Sequence, residues 1–232
     1  MDAQSLLTLW ERGRHRHALD RGLLLHAVAA PGEDADALAD RTLGERNAAL
    51  LQLRQTLSGD ELQSSVDCPE CGEQLEFALS AAALLSRASV PSLSHVQIGD
   101  MRVRVPTSRD LASIANEPDE ERAAGRLLTR LLSADSTGAE SQASLPGDEL
   151  TRALDEADPC ADVAVACTCP ACGHAWDAPF DVAAFVWDEI DVRARRLLDE
   201  VHVLAQAYGW PEHEILTLGD ARRRAYIERV LA

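Results

Sequence analysis

Four cysteines in this chain have the type and spacing to grip a metal ion. Cys68 and Cys71 lie in Cys68-Pro69-Glu70-Cys71-Gly72, and Cys169 and Cys172 lie in Cys169-Pro170-Ala171-Cys172-Gly173. In each pair two thiolates on a tight turn can reach one ion. Pro stiffens the turn, and Gly supplies the positive φ that lets backbone amides face the sulfurs. Two pairs make four thiolates, the closed tetrahedral shell of a structural zinc site. The expected cofactor is therefore Zn2+ in a structural role, with Cys68, Cys71, Cys169 and Cys172 as its ligands. Four cysteines can also hold an iron–sulfur cluster, and a lone C-x-x-C can be a redox dithiol. The redox role needs a βαβ context and a helix N-terminus to lower the thiol pKa, and neither pair has that setting.

The surroundings of the two pairs are also alike. Leu75, Phe77 and Leu79 follow Cys71, then Ala81-Ala82-Ala83-Leu84-Leu85; Trp176 and Phe180 follow Cys172, then Val182-Ala183-Ala184-Phe185-Val186. Val66 aligns with Cys167, Leu75 with Trp176, Leu79 with Phe180 and Leu84 with Phe185. Each half reads as strand, metal knuckle, strand, helix. Two such hairpins closing on one ion would form a zinc ribbon, split by an insertion of about a hundred residues. Cys167 thereby takes the place of a buried strand residue, and Cys160 has no partner at ligand spacing.

The elements that must position the knuckles are mostly helical. Residues 5–30 carry leucines at helical spacing, interrupted at Gly13 and ended by Pro31-Gly32. Thr42 and Glu45 have capping-box spacing ahead of the stripe Leu43, Leu50, Leu51, Leu53 and Leu57. Residues 96–105 alternate around Gly99-Asp100, as a hairpin does. Pro106-Thr107-Ser108-Arg109-Asp110 opens a helix with polar caps. Helices are expected at about 118–133 and 148–157, and Ser133 to Pro146 has the composition of a mobile loop. The longest helix follows Pro179-Phe180-Asp181 and runs to Tyr208, with Gly209 as its C-cap. Short helices follow Trp210-Pro211 and Gly219-Asp220. In the last one, Arg222–Arg224 are expected to face water while Tyr226, Ile227 and Val230 pack inward.

The expected fold class is thus mainly α with small β hairpins, a split zinc ribbon embedded in a helical domain, and a long C-terminal helix followed by short ones. The reading is one domain over 1–232. Within it, 1–64 holds N-terminal helices, 65–87 the first knuckle and 88–158 an insertion. The second knuckle occupies 159–180 and the C-terminal helices 181–232.

Composition narrows the function. The chain has 232 residues, 46% of them hydrophobic, enough for a packed core. Its net charge of −17 opposes sequence-independent nucleic-acid binding, because phosphate is repelled. All 22 basic residues are Arg, which favours fixed ion pairs. No apolar run approaches the roughly 20 residues of a membrane span. Met1-Asp2-Ala3-Gln4 offers no basic signal region, and thiols at metal spacing fit a reducing compartment, so a cytoplasmic location is expected.

No catalytic constellation stands out. His213-Glu214 lacks the second His of a zinc-protease helix, since position 217 is Thr. There is no Gly-rich phosphate loop and no G-x-S-x-G elbow. Four protein thiolates would leave the metal no open position for substrate. The expectation is a protein that is not an enzyme. A zinc-ribbon regulator contacting nucleic acid or the transcription machinery is the alternative. It calls for a basic or aromatic face around the knuckles, where Glu70, Glu73, Glu76 and Asp177 stand instead.

Several separated stretches carry a family resemblance: Trp10-Glu11-Arg12-Gly13 with Leu19-Asp20-Arg21; Leu43-Gly44-Glu45-Arg46 with Leu50-Leu51-Gln52-Leu53-Arg54; the first knuckle with Leu75-Glu76-Phe77; Pro106-Thr107-Ser108-Arg109-Asp110-Leu111; and the second knuckle with Trp176. Further on come Leu197-Leu198-Asp199-Glu200-Val201-His202, Tyr208-Gly209-Trp210-Pro211-Glu212 with Ile215-Leu216, and Arg222-Arg223 with Tyr226. In these the chain resembles the zinc-ribbon-containing, T-even-type baseplate proteins of contractile phage tails and phage-tail-like injection systems. The resemblance covers most of the chain apart from about 112–157. It implies a non-enzymatic part in building the baseplate, as a component or as an assembly chaperone of the hub. The implied partners are baseplate or hub proteins, with the chain cytoplasmic or incorporated into a tail-like particle.

Overall fold

A computed structural model describes residues 1–88, 93–99, 101–132 and 147–231. The segment Ser133–Pro146 and the turn residue Asp100, both singled out from sequence, lie outside the described residues. The fold is mainly helical with three two-stranded antiparallel hairpins. The chain divides into two compact units, one formed by Met1–Leu24 with Ala184–Ala232 and the other by Leu25–Ala183.

In the first unit, α1 (Ala3–Gly13) starts where the Asp2 carboxylate accepts the Ser5 amide at 2.7 Å, an N-cap bond. Its last residue, Gly13, has a packing role. A Cβ there would sit 2.2 Å from the Trp187 ring, so only glycine lets the helix approach that indole. α2 (Ala18–Ala29) then begins. The long helix α9 (Val182–Tyr208) buries Val186, Trp187, Ile190, Ala194, Leu197 and Leu204, a stripe at helical spacing. Gly209, at φ 68°, ends it. α10 (Glu212–Thr217) packs against α1 through buried Ile215 and Leu216, and α11 (Asp220–Leu231) closes the chain.

The last helix departs from the sequence expectation. Arg223 is buried, not solvated: its guanidinium donates to Glu200 at 2.9 Å, to Asp220 at 2.5 Å and to the Leu218 carbonyl at 2.5 Å. A buried guanidinium is tolerated when its donors are satisfied in this way. Glu200, on the long helix, supplies the carboxylate opposite it. Val230 is exposed, while Tyr226 is half-buried against Tyr208 and Trp210, with ring centroids 5.7 and 4.9 Å away.

In the second unit, α3 (Ala35–Ala39) leads to α4 (Leu43–Ser58), whose capping box is formed as the spacing of Thr42 and Glu45 predicts. Two hairpins flank the metal-ligand candidates: β1 (Glu61–Asp67) with β2 (Gln74–Ser80), and β5 (Ala164–Thr168) with β6 (Ala175–Pro179). The remaining hairpin, β3 (His95–Ile98) with β4 (Met101–Arg104), turns at Gly99, at φ 56°. It packs through Ile98 and Val103 onto Leu127 and Leu131 of α7 (Glu120–Leu131) and Leu150 of α8 (Gly147–Ala157).

α4 is the organising element of this unit. The bridge Thr42–Thr107 and the bond from the Leu43 amide to the Pro106 carbonyl dock the start of α6 (Ser108–Ile114) against it. Asp110 then gathers a polar knot: Arg104 donates to both carboxylate oxygens at 2.7 and 2.8 Å, and the Thr107 amide and hydroxyl add 2.9 and 2.8 Å contacts. Burial alone would raise the Asp110 pKa. The hydrogen bonds from Arg104 and Thr107 and the Arg104 charge outweigh it and hold the carboxyl far below the usual range.

His26 lies in the same unit, buried, with Nδ1 lacking a hydrogen-bond partner. Burial first, then the nearby Arg46 charge, lowers its pKa below the ordinary 6.5. The unfolded chain therefore binds a proton that the folded chain refuses. Its penalty is absent above pH 6.5 and grows as pH falls from there toward the folded value. Thermal unfolding at pH 7.5 and 5.5 should show a smaller acid-induced loss for His26→Leu than for the native chain. Equal losses would mean that His26 is protonated freely in the fold.

Candidate metal centre

The two knuckles are built alike, bond for bond. The Cys68 amide donates to the Glu73 carbonyl at 2.8 Å, and the Cys169 amide to the His174 carbonyl at 2.8 Å. The Gly72 amide returns to the Cys68 carbonyl at 2.9 Å, and the Gly173 amide to the Cys169 carbonyl at 2.9 Å. Gly72 and Gly173 sit at φ 75° and 76°, where a side chain would be strained.

The likeness extends along both hairpins at the constant offset of 101 that separates Cys68 from Cys169. Val66 pairs with Leu75 as Cys167 pairs with Trp176. Leu62 pairs with Leu79, and the Phe180 amide bonds to Val163 at 2.7 Å. The helix after the first hairpin, α5 (Ala81–Arg87), and α9 after the second start at equivalent residues, Ala81 and Val182.

All four sulfurs converge. The Sγ atoms of Cys68, Cys71, Cys169 and Cys172 lie within 4.8 Å of one another. Two of the contacts run between knuckles: Cys68 to Cys172 at 3.6 Å and Cys71 to Cys169 at 3.5 Å. Those distances are far too long for a disulfide, whose sulfurs sit about 2.05 Å apart. They are close to the edge of a tetrahedron with metal–sulfur bonds of about 2.3 Å, which is about 3.8 Å. Cys68 and Cys169 are buried, Cys71 and Cys172 exposed. The donor set and its geometry therefore fit one tetrahedral thiophilic ion.

Backbone amides are aimed at the sulfurs. Cys169 is drawn down to about 7, first by the Cys172 amide, then by Ala171 and the neighbouring thiols, against its burial. At Cys71 the Glu73 amide pulls downward most strongly, yet the three other thiols together push the group up to about 12. At Cys172 the His174 amide lowers the pKa, while burial and the thiols of Cys169 and Cys68 leave it raised. Four thiols in one small volume cannot all ionise without a cation among them. A bound metal would release their protons and take the amide bonds as support for its ligands.

Cys160 and Cys167, the two cysteines outside the pairs, are buried and stay outside the cluster. Cys160 Sγ lies 3.3 Å from the Leu84 carbonyl, which ties the approach to β5 to α5. His174 stacks on Trp176, centroids 5.6 Å apart, and is not among the converging ligands. Glu70, Glu73, Glu76 and Asp177 are exposed, so the rim is acidic.

Three residues that hold the second knuckle had no signal in the sequence. The Gly44 amide, at the start of α4, donates to the buried Asp158 carboxylate at 2.8 Å. Asn47 Nδ2 donates to the carbonyls of Cys160 at 2.8 Å and Ala161 at 3.2 Å. The first hairpin is held by the same helix. Gln55 and Ser80 donate to Asp60 at 2.8 and 2.7 Å, and Asp60 in turn accepts the Ala82 amide of α5 at 2.7 Å. α4 thus anchors the segments that lead into both hairpins.

No match to the chain is found among protein-family models, curated proteins or solved structures. Among the described residues, no helix is long and apolar enough to cross a membrane.

Proposed function

We propose that this chain is a non-enzymatic structural or assembly protein of a contractile tail baseplate, in a phage or a phage-tail-like injection system. In this reading Cys68, Cys71, Cys169 and Cys172 hold one structural zinc, and the two hairpins form a split zinc ribbon. The observation that carries the metal assignment is the convergence of the four sulfurs within 4.8 Å from two segments far apart in sequence. The baseplate assignment is supported by the stretches that resemble that family, from Trp10-Glu11-Arg12-Gly13 to Tyr208-Gly209-Trp210-Pro211-Glu212.

The chemistry agrees with a stapling role. A tetrahedral ion with four thiolates keeps no open position for water or substrate, so its contribution is to folding. The acidic rim of Glu70, Glu73, Glu76 and Asp177 disfavours phosphate and so favours a protein partner over a nucleic acid.

A tagged copy expressed in its native host tests the reading, with captured partners identified by mass spectrometry and compared with purified particles. Baseplate, spike or hub proteins are the expected partners. Presence in finished particles marks a component, and absence from them marks a chaperone. Capture of RNA polymerase instead would overturn the assignment and favour the regulator.

A further inference from the structure

The unit formed by Met1–Leu24 and Ala184–Ala232 differs in charge from the chain as a whole. It holds half of the 22 arginines but fewer than a third of the 39 acidic residues, so it is close to neutral in a chain of net charge −17. Within it lies a cleft of about 390 Å3. Two indoles, Trp10 and Trp187, line it and are 7% and 4% exposed. A guanidinium lies over each: Arg14 at 4.7 Å from the Trp10 ring and Arg21 at 5.1 Å from the Trp187 ring.

The cations are held in place before any ligand arrives. Arg21 donates to the carbonyls of Gly13 at 3.2 Å and Arg14 at 3.1 Å. Arg14 Nε lies 2.8 Å from His15 Nε2. A third guanidinium, Arg195, donates to one oxygen of Asp191 at 2.7 Å, while the Trp10 indole N–H donates to the other at 2.6 Å. Both Asp191 oxygens are thus engaged and its charge is matched by Arg195, leaving Asp188 as the other acid of the cleft. Guanidinium donors lie in the plane of the group. Stacking on an indole therefore uses none of them, and the fork remains suited to a planar carboxylate.

We infer that this cleft is a docking site for a carboxylate side chain on an acidic segment of a partner protein. The guanidiniums supply the charge, and the indoles beneath them hold their planes in place. A short acidic segment feels mainly these local cations, because fields are screened over roughly 8 Å at physiological salt. A nucleic acid, extending over many phosphates, meets the net negative charge of the chain as well. The inference stands on the cleft alone and does not depend on the metal or on the baseplate reading.

Fluorescence polarisation with the whole 232-residue chain tests it. The probe is a fluorescein-labelled peptide with blocked ends and alternating Glu and Leu. Controls are the same peptide with Gln for Glu, and an oligothymidylate of equal length. The acidic peptide is expected to bind, to weaken with added salt, and to lose about tenfold in affinity with Arg14→Glu. Arg12→Glu, at an exposed residue outside the cleft lining, should leave binding unchanged. Circular dichroism of both variants confirms that they are folded. Absence of binding by the native protein overturns the inference. So does equal binding of the Gln peptide, preferential binding of the oligothymidylate, or an Arg14→Glu variant that binds as the native chain does.

Discussion

Removing the metal is expected to unfold the paired hairpins, and Cys169→Ser should do the same. Structural zinc in four-ligand sites contributes about 10–16 kcal/mol of apparent binding free energy at neutral pH, which is folding free energy where no site exists in the unfolded chain. Nothing else in the hairpins matches that. Each is a lone pair of strands, β1 with β2 and β5 with β6, and isolated two-stranded hairpins are marginal in water. Without a cation, four thiols confined within 4.8 Å cannot all ionise. Chelation should therefore release one zinc per chain and abolish protection of the Cys68 and Cys169 amides against hydrogen exchange. Cobalt substitution should give the absorption of a tetrahedral thiolate site. A Cys169→Ser variant with native thermal stability would refute the structural role of the ion. An iron–sulfur chromophore in the purified protein would replace zinc by a cluster on the same four ligands.

The cluster of four cysteines was legible in the sequence because its chemistry is local. A C-x-x-C turn with Pro and a following Gly specifies its own backbone, and the twin alignment of Val66 with Cys167 and Leu75 with Trp176 anticipated the strand pairing. Caps were legible for the same reason: Thr42 and Glu45 bond within one helical turn. What could not be read were bonds between distant segments. Gly44 and Asp158 are far apart along the chain, and neither type announces the other. Arg223 illustrates the same limit: three consecutive arginines on a terminal helix look solvated until Glu200 is known to lie opposite. The Trp10–Asp191 bond and the Gly13–Trp187 approach, which shape the arginine cleft, are likewise invisible to periodicity.

Gly44→Ala is expected to destabilise the Leu25–Ala183 unit by about 3 kcal/mol, the cost of a lost charge-assisted hydrogen bond together with local overpacking. Alanine in a helix ordinarily stabilises by roughly 0.5–1 kcal/mol relative to glycine, so the predicted sign runs against propensity. The reason is Asp158. A Cβ on residue 44 would fall 1.9 Å from one carboxylate oxygen and 2.6 Å from Cγ. The carboxylate is only 1% exposed and cannot swing into water without unseating its loop. If it retreats, the Gly44 amide loses its 2.8 Å acceptor, and a buried carboxylate loses the favourable field at the start of α4. Two and three residues further on stand the carbonyls of Cys160 and Ala161 that Asn47 holds, so the disturbance passes toward the strand leading into Cys169. Gly125→Ala in α7 is the matching control, because a Cβ there meets nothing within 4 Å. It should stabilise by the ordinary helical amount. In thermal denaturation Gly44→Ala should melt roughly 8 °C lower, given about 2–4 °C per kcal/mol for a domain of this size. It should also release metal to a chelator faster than the native chain. A rise in melting temperature for both variants would show that Asp158 does not sit against α4. A lowered melting temperature with unchanged metal release would confine the clamp to stability and separate it from the placement of the second knuckle.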